Sequence, residues 1–213
     1  MAFVYQYSTG ESKPIKIWKF NTSRTELKQL GFAWLVISIA FANALSIGHA
    51  GSYVSFLLIS AITVGTGFFL HELGHKIVAQ RFGCFAEFRA FNFMLLVAFA
   101  LSFYGWVFAA PGAVMIGGRP GPKQYGIISL AGPLVNLALG FIFFSLFVIS
   151  VILNLGDFVA VLASYGFMIN TWIALFNLIP AGNFDGRKIL AWNKAVYGVV
   201  AGFTLLLFVL TSF

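Results

Sequence analysis

One apolar run follows another along this chain, from Leu27 to the C-terminus. Only 9% of the 213 residues are charged and 60% are hydrophobic, whereas about a quarter of the residues in a soluble domain carry a charge. Apolar stretches of this length match helices that cross a lipid bilayer, where each helix satisfies its own backbone hydrogen bonds. The sequence therefore predicts an all-α polytopic membrane protein, built as a single integral-membrane domain over residues 1–213.

The apolar runs predict about five to six transmembrane helices. One run, Phe91–Ala110, is followed by a Gly- and Pro-rich stretch that contains a strand-like segment, Gly112–Ile116. Residues 1–26 are polar and basic and are interpreted as a cytoplasmic N-terminal tail. Cys84 is the single cysteine, which excludes an internal disulfide and a cysteine-rich metal site. The clearest spans cover residues 27–47, 53–80, 126–153, 159–177 and 195–210.

The second span contains the sequence His71-Glu72-Leu73-Gly74-His75. On a helix, His71 and His75 share a face, so both imidazoles can reach one metal ion, and Glu72 can take a proton from a water molecule at the metal. This is the H-E-x-x-H arrangement of zinc peptidases. The alternative is a pair of interfacial histidines beside a snorkelling glutamate. Ionisable side chains inside an apolar span are costly and mark a function by default, which favours the metal site.

Basic residues indicate how the chain is oriented in the membrane. Five of them lie before or at the start of the first span, so the positive-inside rule places the N-terminus in the cytoplasm of a multi-pass cell-membrane protein. The second span then returns to the cytoplasmic side, where Lys76 and Arg81 mark its end, so the histidines lie near that side. The net charge of +7 suits basic inner loops and gives no indication of nucleic-acid binding. The five basic residues around the start of the first span are Lys13, Lys16, Lys19, Arg24 and Lys28.

The path of Phe91–Ala110 decides where the later residues lie. If this run crosses the membrane, the later basic clusters fall outside, and Asp185 faces the leaflet opposite the histidines. If it dips in and returns, those clusters fall inside and Asp185 lies on the same side as His71. Hydropathy by itself favours an ordinary span, whereas a re-entrant segment is possible where protein covers its backbone. We expect residues 91–125 to form a re-entrant segment or hairpin with a strand-like loop.

A third metal ligand has to come from elsewhere, because a catalytic zinc site uses three protein ligands and leaves one position for water. Of the six acidic residues, Glu72 is needed as the base and Asp157 falls in an outer turn. Asp185 follows Pro180, where irregular backbone can turn a side chain inward, and it is the predicted third ligand. Its alternative role is a capping or turn residue before Gly186. The other candidates are Glu11 and Glu26 near the N-terminal tail, Glu87 beside Arg89, and His49, interpreted as a turn or interface residue.

Three separated motifs occur in order along the chain: His71–His75 (HELGH), Ala131–Asn136 (AGPLVN) and Asn177–Gly186 (NLIPAGNFDG). Together they resemble the site-2 protease family of intramembrane zinc metalloproteases, in particular its small prokaryotic and archaeal members without PDZ or CBS domains. Phe184 stands where that family usually has Leu, and Arg187 where it often has a second Gly. Both departures leave the aspartate of the last motif in place.

The resemblance implies a role for each motif. His71, His75 and Asp185 are the expected ligands of one Zn²⁺ ion, and Glu72 is the expected general base and acid. Asn177 is expected to polarise the scissile carbonyl or hold the oxyanion. Asn136 is expected to support substrate or packing.

The expected substrates are single-pass membrane proteins, cut in or near their transmembrane segments within the lipid bilayer. A substrate helix must unwind before it can be cut, and an exposed edge at Gly112–Ile116 would hold the extended peptide by main-chain pairing. The alternative for that segment is a short interfacial loop.

Two other functions compete with proteolysis. A catalytically inactive relative that binds membrane helices would not need the base Glu72, which the chain retains. A divalent-metal transporter would need polar residues along a continuous path through the spans, and the sequence has almost none beyond the motif face.

Overall fold

The computed structural model describes residues 15–17, 20–48, 51–107 and 111–210. His49, residues 1–14, 18 and 19 of the predicted tail, and the last three residues of the predicted run Phe91–Ala110 lie outside these ranges. The predicted fold class, an all-α polytopic membrane protein, is confirmed, with two small sheets added to the helices. The helices are α1 (Arg24–Ser46), α2 (Tyr53–Arg81), α3 (Asn92–Ser102), α4 (Pro122–Ile152), α5 (Asp157–Asn177), α6 (Asp185–Trp192) and α7 (Lys194–Leu210), and the strands are β1 (Ile15–Ile17), β2 (Phe20–Thr22), β3 (Phe85–Ala90) and β4 (Gly112–Gly117).

Among the described residues, four helices are long and apolar enough to cross a membrane: α1, α2, α4 and α5. They correspond to four of the spans predicted from the apolar runs. Helix α7 is apolar but has 17 residues, and α3 has 11. The direction in which these helices cross stays a prediction from the basic residues.

Helix α2 lies at the centre of the bundle and packs against α1, α4 and α5. The core beside it includes Phe68 of α2 and Phe88 of β3, whose rings meet edge to face with centroids 5.5 Å apart. This contact ties the sheet to the helix that carries the histidines. The buried members of the core cluster are Ala33, Ile37, Val64, Phe68, Phe88, Leu95 and Ile169.

Strands β3 and β4 form an antiparallel pair that encloses α3. Ala90 lies opposite Gly112, and the next residues outward continue the contact, because the Phe91 amide donates to the Pro111 carbonyl at 2.9 Å. The chain therefore leaves the sheet, forms a helix about 16 Å long, and returns to the same place, whereas a bilayer core is about 30 Å thick. Gly112–Ile116 is a strand as predicted, and the loop alternative is wrong. How this hairpin sits in a membrane stays a prediction.

A tight connection joins α5 to α6. Helix α5 ends at Asn177, three residues before Pro180, and α6 begins at Asp185. A Cβ atom on Gly186 would lie 2.1 Å from the Leu178 carbonyl oxygen, so only glycine lets the first turn of α6 press against the end of α5. This packing directs Asp185 towards the core. The sequence did not predict α6, which has only 8 residues.

Candidate active site

His71, His75 and Asp185 are all buried and meet between α2 and the start of α6. The two imidazole Nε2 atoms are 3.0 Å apart. The Asp185 Oδ2 atom lies 3.0 Å from His75 Nε2 and 3.5 Å from His71 Nε2. The structure thus brings the three predicted ligands to one point, although Asp185 is far from the histidines in the sequence.

The other ring nitrogen of each histidine contacts an oxygen of α4. His75 Nδ1 lies 2.7 Å from the Ile128 carbonyl oxygen, and His71 Nδ1 lies 2.5 Å from Asn136 Oδ1. Both contacted atoms are acceptors, so each neutral imidazole carries its proton on Nδ1. Each Nε2 atom then has a free lone pair, and the two lone pairs face the Asp185 carboxylate.

Asn136 is held in turn by two acceptors. Its Nδ2 atom donates to the Gly67 carbonyl at 3.1 Å and to Asn170 Oδ1 at 3.0 Å, which fixes its own oxygen towards His71. The resemblance assigned Asn136 to substrate or packing, and the structure places it directly behind His71. Sequence reasoning missed Asn170, which is fully buried in α5. The cost of an amide in an apolar span is the signal that could have identified it.

Charge around Asp185 favours its ionised form. Burial acts to raise the pKa of this carboxyl, but His75 and His71 in their protonated forms, together with the Lys188 ammonium, outweigh burial and hold the pKa well below its usual range. The Lys188 Nζ atom lies 3.4 Å from Oδ1, the oxygen that does not face the histidines. Asp185 is therefore a carboxylate at neutral pH, with Oδ2 directed at the two imidazoles.

The space between these three side chains depends on Gly132 of α4. A Cβ atom there would lie 2.5 Å from His75 Nε2 and 2.6 Å from His71 Nε2, so any larger residue would fill the region in front of both ring nitrogens. Two nitrogen lone pairs, one carboxylate oxygen and a glycine-lined gap suit Zn²⁺, which prefers such ligands in tetrahedral sites. The residues present thus fit a zinc ion.

Comparisons with known proteins indicate the family to which the chain belongs. No family model matches the chain, and no solved structure matches it. A protein from Methanocaldococcus jannaschii, named "putative zinc metalloprotease", is 37% identical over 183 residues, an alignment that covers 85% of this chain and 91% of the archaeal protein. The chain belongs to this zinc metalloprotease family.

In this metalloprotease, Glu72 stands beside the histidines and is also buried. Its Oε2 atom accepts a hydrogen bond of 3.1 Å from the Val114 amide of β4. A cavity of about 80 Å³ is lined by Glu72, His71 and Asn177, together with apolar and aromatic side chains. The Asn177 Nδ2 atom donates to the Ile173 carbonyl at 2.9 Å, which uses one of its two N–H groups. Glu72 and Asn177, the two predicted catalytic residues, therefore share a cavity with a predicted ligand.

The edge of β4 that faces away from β3 runs past Glu72. On β3, the outward amides of Phe88 and Ala90 donate to side chains of α1. Amides alternate between the two edges of an antiparallel pair, so Val114, opposite Phe88, directs its N–H away from β3. That N–H meets Glu72. The metalloprotease thus has a strand edge beside the predicted base.

Proposed function

We propose that this protein is an intramembrane zinc metalloendopeptidase of the site-2 protease type, which hydrolyses peptide bonds in or near the transmembrane segments of single-pass membrane proteins. The observation that carries the proposal is the burial of His71, Glu72 and His75 in α2, a helix long and apolar enough to span a bilayer. A water-activating site inside such a helix acts on substrates that also reside in the membrane. The relative named as a zinc metalloprotease supports proteolysis as the reaction.

His71 and His75 would hold Zn²⁺ through Nε2, and Asp185 would hold it through Oδ2. When bound, zinc supplies Lewis acidity, which polarises a carbonyl and lowers the pKa of water. The bonds from His71 to Asn136 and from His75 to Ile128 fix the tautomer that leaves both Nε2 lone pairs available.

Glu72 would act as the general base and then as the general acid. Its carboxylate lines the same cavity as His71, so it can accept a proton from the attacking water and later deliver that proton to the leaving amine. The Val114 amide holds one carboxylate oxygen in place.

Asn177 would stabilise the oxyanion that develops on the scissile carbonyl. One of its amide N–H groups is occupied by the Ile173 carbonyl. The other has no acceptor among the described residues, and the position of Asn177 at the cavity supports this role.

The substrate peptide would pair as an added strand with the outward main-chain groups of β4 other than the Val114 amide, which donates to Glu72. A helix hides its backbone carbonyls, so the peptide has to be extended before hydrolysis, and a strand edge stabilises the extended form by main-chain hydrogen bonds. The site would lie near the cytoplasmic side of the cell membrane, with the N-terminus in the cytoplasm. The basic residue Arg81 in the last turn of α2 supports this orientation.

A cleavage assay with the purified chain in detergent and added zinc tests the proposal. The probe is a synthetic peptide with one Leu- and Ala-rich span, a Gly-Pro step and lysines at both ends. We expect the wild-type protein to cleave it and Glu72→Gln to cleave it about a thousandfold more slowly, because the proton acceptor is lost.

Asp157→Asn is the matched control for that assay. Asp157 is the first residue of α5, whereas Asn177 at the site is the last. Its loss of charge should leave cleavage unchanged. Cleavage by wild type and Glu72→Gln alike, or by neither, would contradict proteolysis. Binding of the peptide without cleavage would indicate an inactive helix-binding relative, and metal uptake into vesicles would indicate a transporter.

A further inference from the structure

A buried ion pair that the proposed chemistry does not use lies beside the sheet. Lys76 of α2 contacts Glu26 of α1, and their side chains are only 7% and 1% exposed. Burying two charges costs free energy that their attraction only partly offsets, so a buried pair is weak evidence for stability alone. We therefore ask whether this pair positions the elements that it joins, α1 and α2, relative to the sheet.

Glu26 takes the place that a neighbouring strand would occupy beside β3. Its Oε1 atom accepts from the Phe88 amide at 3.0 Å, and its Oε2 atom accepts from Lys76 Nζ and, at 2.7 Å, from the Thr22 hydroxyl. The first turn of α1 thus accepts a hydrogen bond from the outer edge of β3 at Phe88. Lys76 in turn fixes Glu26 to α2.

The residue opposite Phe88 in the sheet is Val114, whose amide donates to Glu72. This cross-strand pair is therefore held at both outer edges by a glutamate, Glu26 on one side and Glu72 on the other. Lys76 stands one turn after Glu72 on α2, so one helix carries both the predicted base and the cation that anchors Glu26. The contacts run from Lys76 through Glu26 to β3, across to β4, and back to α2 at Glu72. They therefore enclose the outer edge of β4 beside the predicted base.

Apolar packing holds one side of the sheet, where Phe88 meets Phe68 and Val114 packs against the core, but the side that faces α1 is less filled. A cavity of about 230 Å³ has Glu26, Lys76, Glu72, Phe88 and Val114 on its wall. Protein interiors otherwise hold neighbouring elements by close packing. On the side of this cavity, between α1, α2 and the sheet, the hydrogen bonds and the ion pair hold β4 against α2 in addition to that packing.

We propose that the Glu26–Lys76 ion pair is a positioning device that sets the placement of β4 relative to Glu72, and so selects which peptide bond of a paired substrate is cut. The inference rests on the proposed function and adds two positioning residues to it. A paired peptide follows β4, and a slip of one residue along a strand moves the chain by about 3.3 Å. Loosening β4 would bring neighbouring peptide bonds to the site.

Hydrogen exchange of the full chain in detergent, read by mass spectrometry, tests the positioning directly. In Lys76→Met we expect exchange of residues 85–90 and 112–117 to rise on the order of tenfold, as expected for the loss of a charge-assisted hydrogen bond. Glu26→Gln/Lys76→Met removes both charges, so it leaves no unpaired buried charge if the single variant fails to fold. Arg81→Met, a loss of charge in the last turn of the same helix, is the control and should match wild type.

Product mapping tests the selection of the bond. The peptide is the Leu- and Ala-rich span described above, and its fragments are identified by mass. We expect wild type and Arg81→Met to cut at one position, and Glu26→Gln/Lys76→Met to cut at neighbouring positions as well, with zinc content unchanged. Lys76→Arg should restore the wild-type pattern, because it keeps the cation.

Each outcome separates the inference from the proposed function. Wild-type exchange and a wild-type cleavage pattern in the double variant would overturn the inference while leaving proteolysis intact. A wild-type protein that cuts no peptide would overturn the proposed function and with it the selection of bonds. The exchange result would still decide whether the pair positions β4.

Discussion

Helix α2 and the connection from α5 to α6 supply the same cluster of side chains by different means. In α2, His71 and His75 stand one turn apart, so the regular helix sets their separation. Asp185 stands after a break in helical structure, and its position depends on how α6 packs against α4, α7 and the residues that follow α5. His75 Nε2 is nevertheless 3.0 Å from both His71 Nε2 and Asp185 Oδ2. Two equally close contacts therefore rest on different structural support.

The difference teaches where the site is sensitive to change. A long helix within a bundle keeps its spacing when a neighbouring side chain changes, because its backbone hydrogen bonds are internal. A short helix such as α6, which is placed by contacts with other segments, moves when one of its closest contacts is disturbed. The region of Asp185 should thus respond to substitutions that touch no ligand, and α2 should respond mainly through its ligands.

Removing a ligand from either region should have the largest effect. We expect His75→Ala and Asp185→Ala each to reduce zinc binding and cleavage by about a thousandfold or more, since a catalytic site needs all three ligands. Zinc content by mass spectrometry and cleavage of the synthetic peptide are the two measurements. If Asp185→Ala keeps its zinc while His75→Ala loses it, α2 alone holds the metal and the two regions are not equivalent.

The glycine after Asp185 tests the packing of the α5–α6 connection. In Gly186→Ala the new Cβ atom would lie 2.1 Å from the Leu178 carbonyl oxygen, so α6 has to move away from α5 and carry Asp185 with it. Such overpacking costs about 1–3 kcal/mol of stability, and we expect zinc affinity to fall by about a hundredfold. A competition titration against a zinc chelator measures it.

Gly198→Ala in α7 is the matched control for Gly186→Ala. A Cβ atom at Gly198 would meet no atom of the described residues within 4 Å, so zinc affinity should stay at the wild-type value. Alanine is also the better helix former, which favours slightly higher thermal stability. Equal zinc affinity in the two glycine variants would show that the position of Asp185 does not depend on the α5–α6 contact.

The same contrast explains how much of the site the sequence could predict. His71, Glu72 and His75 follow from local spacing on one helix, which a sequence displays directly. Asp185 follows from elimination among six acidic residues, an argument that works because the chain has so few. The Asp185 carboxylate faces the imidazoles and contacts His75. This contact favours the ligand role over the alternative role of a turn residue. Apolar runs likewise predict the four long helices by composition.

Features that depend on packing between distant segments could not be predicted. Helix α6 is too short for a periodic pattern to identify it. Glu26 looks in the sequence like part of a polar tail, yet it is buried in the first turn of α1 against Lys76. Only the folded arrangement of α1, α2 and β3 brings these two charges together. Asn170 likewise gains its role from Asn136, which lies on another helix.

A substitution at Asn136 should have the smallest effect on zinc binding, and it tests whether α2 holds its ligands independently of other helices. His71 relies on this side chain of α4, whereas His75 relies on the main-chain carbonyl of Ile128, which no substitution removes. In Asn136→Leu the Nδ1–H of His71 is left buried without an acceptor, and zinc affinity should fall by about 10- to 100-fold. The chelator titration measures the change with His71, His75 and Asp185 all present.

Asn170→Leu is the control that separates support of His71 from packing of the helices. It removes one acceptor of Asn136, but the Gly67 carbonyl still holds that amide in orientation. We therefore expect Asn170→Leu to weaken zinc binding less than Asn136→Leu, although both replace a fully buried asparagine. Equal losses in the two variants would mean that helix packing sets zinc affinity. A loss confined to Asn136→Leu would show that α2, despite its regular spacing, depends on one side chain of α4 to orient its first ligand.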